Sequence, residues 1–143
     1  MGVRITSWNL LHGMAIPPAR SEVTLTTAVQ SLASDVYGFQ EVDHFLPRSG
    51  ARPQMRDIAE ALGTRYWAMG PSVIGTPGES WRKKHDHEPE IITSESTHAE
   101  LMHESYGIGI VSKIPVRSWH RLDLGNSPPV SYTHLTLPTI YSV

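Results

Sequence analysis

A glutamate closing an apolar run is the residue in this chain best placed to do chemistry. Val36-Tyr37-Gly38-Phe39-Gln40-Glu41-Val42-Asp43 stays apolar until Gln40-Glu41. A buried strand would therefore deliver the Glu41 carboxylate to its mouth, where α/β enzymes expose their reactive groups. Asn9 stands in a similar place, at the end of the run Val3 to Trp8, and His12-Gly13 follow it. Just past Glu41 come Asp43 and Arg48. A guanidinium can hold a phosphate bidentately, although an ion pair inside its own loop would use Arg48 equally well. Asn after a strand also serves as a plain turn residue, a loop histidine such as His12 is often only a surface residue, and a single strand-end Glu is commonly just solvated.

The second cluster is histidine. Residues 79–104 hold four of the eight histidines (His85, His87, His98, His103) and seven of the fourteen acidic residues. Their spacing is not that of a closed zinc site, and no cysteine assists. A solvated surface loop is the simpler expectation for this segment, with a metal-binding loop as its alternative.

The elements that must position these residues follow from periodicity. Val3, Ile5 and Ser7 alternate with Arg4, Thr6 and Trp8, as in a strand buried mainly on one side. Leu25, Ala28, Val29 and Leu32 share one face of a helix of about three turns, with Ser21 as its N-cap. The strand at Val36 follows. Met55, Ile58, Ala59 and Leu62 mark a second helix, with Pro53 as its first residue and Gly63 as its stop. Tyr66–Met69 reads as a short strand, after which residues 70–78, rich in Gly and Pro, break the pattern. Tyr106–Lys113 is a further strand, turned by Pro115, and Val116–Leu124 reads as its hairpin partner. Strands alternating with helices indicate an α/β protein.

Composition sets the outer bounds. The 143 residues suffice for one domain with a sizeable core. With 39 % hydrophobic and 18 % charged residues the chain is of ordinary globular type. A net charge of −2 argues against a broad basic face for nucleic acid. The absence of cysteine excludes disulfides and thiol nucleophiles. Neither a signal peptide nor an apolar run of membrane-spanning length is visible, so a cytoplasmic protein without a membrane span, and without a specified protein partner, is the expectation.

Ser7-Trp8-Asn9, Gln40-Glu41 and Tyr106-Gly-Ile-Gly-Ile-Val-Ser-Lys-Ile-Pro115, in that order and at those strand positions, resemble the endonuclease/exonuclease/phosphatase superfamily. That group includes DNase I-like nucleases, sphingomyelinases and inositol-polyphosphate phosphatases, and the resemblance covers residues 2 to about 125. It implies a DNase I-like four-layered α/β sandwich with its site at the shared edge of two sheets. It also implies a Mg²⁺-dependent phosphoric ester hydrolase, with Mn²⁺ as a substitute metal. Glu41 matches the family's metal-binding glutamate and Asn9 its asparagine at the metal and phosphate site. The two are the expected catalytic and metal residues, with His12 and Arg48 as further substrate contacts. One or two carboxylates, water and substrate phosphate complete a Mg²⁺ shell. The substrate would be a phosphate ester: nucleic acid, inositol phosphate or a phospholipid head group.

The chain departs from the family downstream. A later Asp-x-Asn motif and a C-terminal Asp-His pair are expected from the resemblance, and neither stands at a matching position; Asp123 and Asn126 have the wrong spacing. Val130-Ser-Tyr-Thr-His134-Leu-Thr-Leu-Pro-Thr139 resembles a translated transposon-end sequencing adaptor. The expectation is therefore that residues 1–129 are the N-terminal part of the fold, with 79–104 as a surface insertion. Residues 130–143 would be a non-native tail, and the chain would have little hydrolytic activity. A non-catalytic binding module of the same fold is the alternative.

Overall fold

The computed structural model describes residues 2–13, 24–124 and 139–142. Its centre is a mixed sheet of six strands: β1 (Ile5–Asn9), β2 (Val36–His44), β3 (Tyr66–Gly75), β4 (Trp81–Lys83), β5 (Ile92–Thr93) and β6 (Ser105–Ser112). The order is β1-β2-β6-β3-β4, with β5 also paired to β3. Only β1 and β2 run parallel, and the 10–35 connection between them carries helix α1 (Leu25–Ser31). Helix α2 (Gln54–Ala61) links β2 to β3, and the short α3 (His98–Leu101) precedes β6. The α/β class expected from the alternation is therefore present.

One face of the sheet is sealed by the helices. Tyr37, Phe39, Val42, Trp67, Met69 and Val111 pack with Val29, Met55, Ile58 and Ala59 in a single core. The helical periodicity of the second helix is the cause: Met55, Ile58 and Ala59 fall on one side and are almost wholly covered. Gly109 makes room for this, since a Cβ there would lie 2.1 Å from the Met55 sulfur. The other face is thinner. Ala68 and Ile108 are buried there with Ile91, Ile110 and Trp119 against them, while Val3 and Ile5 are 58 % and 72 % exposed. In β1 it is thus Thr6 and Trp8 that face inward, not Ile5.

Several expectations need correction. Val116–Leu124 is not the hairpin partner of β6, because β2 and β3 already occupy both of its edges. Strand β7 (Trp119–Leu122) instead pairs with β8 (Thr139–Ser142) in a separate two-stranded sheet. β3 runs on to Gly75 through Pro71, which lies at a register shift against β6, the one kind of interior place a strand tolerates proline. The first helix has only seven residues and is capped by Thr24, whose hydroxyl accepts from the Thr27 N–H; Ser21 lies outside the described residues. Pro53 is the N-cap of α2 rather than its first residue. Residues 79–104 are not a bare loop. They add β4 and β5 to the sheet, bury Ile92 in the core and end in a helix with a capping box between Thr97 and Glu100. Residues 130–138 and 143, with His134, are outside the described residues. Among the described residues no helix is long and apolar enough to cross a membrane.

Candidate functional site at the mouth of strand β2

The position of Glu41 depends on a bulge. Phe39 pairs with Gly109 and Val42 with Gly107, so Gln40 and Glu41 together oppose the single residue Ile108. Without the extra residue, the period of two would put Glu41 on the core side with Phe39 and turn Val42 away from it. With it, Phe39 and Val42 both enter the core and Glu41 is expelled at the mouth with a left-handed backbone (φ 55°). Left-handed geometry is disfavoured for a residue with a Cβ and clusters at functional sites. The other four non-glycine residues with positive φ among those described are Leu11, His12, Phe45 and Ala51. They lie in the two loops beside Glu41.

Asn9 and Glu41 meet at the mouth of β2. Asn9 Nδ2 donates to Glu41 Oε1 at 2.8 Å, and Asn9 Oδ1 accepts from the Leu11 N–H at 2.9 Å. Asn9 therefore acts as a turn residue and as the holder of the carboxylate at once, and its oxygen is already engaged. Below it, the Leu10 N–H donates to the Gln40 carbonyl at 2.9 Å and Gln40 Nε2 to Ser7 Oγ at 3.2 Å, which ties the two strand ends together. Glu41 takes part in no ion pair among the described residues, and no hydrogen bond there uses its Oε2.

Arg48 is occupied differently. Its Nε and Nη2 donate to both oxygens of the buried Asp43, at 2.8 and 2.7 Å, which is the loop ion pair weighed above. That hydrogen bonding holds the guanidinium pKa above its ordinary value. The guanidinium carbon lies 5.4 Å from the centre of the Tyr106 ring. Burial, and next the charge of Glu41, push the Tyr106 phenol up to about 12. His12 is held through its backbone: its carbonyl accepts from Gln54 Nε2 at 3.0 Å, while Gln54 Oε1 accepts from the Asp43 N–H at 2.8 Å. His12 and Arg48 also share the wall of an open cleft of about 360 Å³ with Thr24, Ser49 and Arg52. Arg52 is itself paired with Asp57.

The histidine segment does not assemble a metal site; among the described residues no group of three or more His, Asp or Glu could hold an ion. His85 and His87 stack with ring centres 5.5 Å apart. His103 Nε2 lies 3.3 Å from Glu88 Oε1, close in charge but not aligned as a hydrogen bond. The most buried histidine among the described residues is one the sequence did not single out. His44 Nε2 donates to the Leu101 carbonyl at 2.6 Å, and burial lowers its pKa from 6.5 to about 4.

Sequence reasoning thus paired Asn9 with Glu41 but missed Gln54, Tyr106 and His44. Gln54 at the first turn of an amphipathic helix looks solvated, and only the arrival of the His12 loop buries it. Comparisons with family models, with curated proteins and with solved structures find no match for this chain.

Proposed function

We propose that the mouth of β2 is the cation-holding part of a Mg²⁺-dependent phosphoric ester hydrolase of the endonuclease/exonuclease/phosphatase type. The single observation behind this reading is that Glu41, expelled by a bulge on a strained backbone, has no ion-pair partner among the described residues while Asp43 and Arg48 pair with each other. The donor set would suit a hard cation: Glu41 Oε2 accepts no hydrogen bond among the described residues, and waters and substrate would complete the shell. When bound, the cation would polarise a phosphoryl oxygen and stabilise the leaving group. Asn9 fixes which carboxylate oxygen faces outward. Arg48, tied to Asp43, stiffens the wall of the mouth, and with His12 it lines the neighbouring cleft, into which a phosphate ester would extend.

The thin second face of the sheet supports a four-layered sandwich, because β7 with Trp119 already begins a second layer over Ala68 and Ile108. Groups that would activate water have no counterpart among the described residues, so this chain is expected to bind the cation without rapid turnover. A binding module of the same architecture is the second reading. It is favoured by the mutual neutralisation of Arg48 and Asp43, which leaves one acidic group where hydrolysis would need more.

Calorimetric titration with Mg²⁺ and Mn²⁺ tests the proposal. Wild-type chain should bind one ion, and Glu41→Gln should lose at least tenfold in affinity; equal affinity of the two proteins would remove the proposed site. Hydrolysis of bis(p-nitrophenyl) phosphate should stay close to the uncatalysed rate. Robust Mg²⁺-dependent cleavage abolished by Glu41→Ala would show that the chain is a complete catalyst.

A further inference from the structure

Tyr106 is held by its strand and by Arg48, and is free at its tip. It lies on β6 directly opposite Asp43, and the Arg48 guanidinium covers its ring. Asp43 in turn grips that guanidinium with both oxygens. The ring is half-buried, yet no hydrogen bond among the described residues uses its hydroxyl. The bulge sets Glu41 opposite Ile108, two residues along β6 from Tyr106, and burial first, with the charge of Glu41 next, keeps the phenol protonated beyond any physiological pH. The result is a rigid, neutral O–H donor beside an uncompensated carboxylate.

Resting on the cation site proposed above, we infer that Tyr106 is a substrate-binding residue whose hydroxyl donates a hydrogen bond to a non-bridging oxygen of a phosphate ester bound at Glu41. The chemistry fits the place. A second cation there would compete with the metal for Glu41, whereas a neutral donor adds affinity for the oxyanion without disturbing the carboxylate. The cation–π contact with Arg48 makes the ring's position independent of substrate, so little side-chain freedom is lost on binding.

The experiment uses the full chain loaded with Mg²⁺ and phenyl phosphate as probe, followed by ³¹P and tyrosine-labelled ¹³C resonances. Tyr106→Phe keeps the ring and should retain wild-type Mg²⁺ affinity and melting temperature while losing phenyl phosphate affinity by about tenfold. In the wild type, the Tyr106 Cζ resonance should shift as phenyl phosphate is added. Unchanged phenyl phosphate affinity in Tyr106→Phe, or a Cζ resonance that ignores the ligand, overturns the role of Tyr106 and leaves the cation site standing. Wild-type Mg²⁺ binding by Glu41→Gln overturns the cation site instead. A Mg²⁺-loaded wild-type chain that binds no phenyl phosphate overturns Tyr106 as a binding residue.

Discussion

Glu41 and Glu88 are both acidic residues lying close to strands of one sheet, and the chain treats them in opposite ways. Glu88 is nearly covered and saturated: Arg82 grips both of its oxygens, and the His85 N–H donates to Oε2 at 2.7 Å. Those contacts, Arg82 first, hold its carboxyl far below the usual carboxylate range. Glu41 is partly exposed, sits on a left-handed backbone and receives one hydrogen bond from a neutral amide. A carboxylate neutralised by its own chain builds structure; here it pins the 79–104 excursion to itself. A carboxylate left charged, at a cost in backbone strain, is available to something outside the chain. Sequence separates the two only by place: Glu41 closes an apolar run, whereas Glu88 stands between His87 and Pro89 in a polar segment.

Acid should separate the two regions most strongly. The excursion is tied to β2 through His44, whose Nδ1 is buried without a partner among the described residues; burial first, and then Arg56 and His103, oppose a positive charge there. The unfolded chain takes up this proton as pH falls below 6.5, but the folded chain does so only near 4. Stability is therefore complete above pH 6.5 and is lost progressively down to about 4, by at most roughly 3 kcal/mol. The Glu88 carboxyl contributes in the same direction but in a lower window, below about 4.5, where the unfolded carboxyl begins to protonate. Urea melts at pH 7, 5.5 and 4.5 measure the loss. Amide exchange should quicken first across 92–104 while Leu10, Leu11 and Asp43 stay protected. A midpoint that does not move between pH 7 and 4.5 would show that His44 is not buried as described.

The fold was legible wherever a period stayed intact. Met55, Ile58 and Ala59, or the strand from Val36, declare themselves because core packing repeats their spacing over several turns or pleats. Legibility failed where one residue changes the count. A bulge at Gln40-Glu41 leaves no mark beyond two polar letters, although their polarity did point to the strand end. The Gly- and Pro-rich residues after Met69 read as the end of a strand that in fact continues to Gly75. Val116–Leu124 alternates like a hairpin strand, but no local pattern reports that both edges of β6 are taken. Within the site, Asn9 and Glu41 were readable because each ends an apolar run. Gln54 and Tyr106 were not, because their importance lies in contacts between residues more than ten positions apart.

Gln54→Met sharpens the comparison from the side of the mouth. The change keeps length and volume but strands the Asp43 N–H and the His12 carbonyl, both now served by one buried amide. The expected loss is about 2 kcal/mol. Unlike acid, it should raise amide exchange at Leu11–Gly13 and Asp43, weaken Mg²⁺ binding, and leave 92–104 unchanged. If exchange rises equally in both regions, the mouth and the excursion are one cooperative unit.

Glu41→Gly is the smallest effect and the most telling in sign. Glycine takes a φ of 55° without the Cβ penalty of about 1 kcal/mol or more. The hydrogen bond that is lost, from Asn9, is exposed and so contributes roughly half as much. The net expectation is a gain of about 0.5 kcal/mol, read as a small rise in the urea midpoint, together with loss of Mg²⁺ binding. Glu88→Gly should move stability the other way, because it leaves Arg82 and the His85 N–H without their acceptor. Opposite signs for these two substitutions would show that Glu41 is maintained against the interest of the fold. A clear destabilisation by Glu41→Gly would mean instead that Glu41, like Glu88, is part of what holds the chain together.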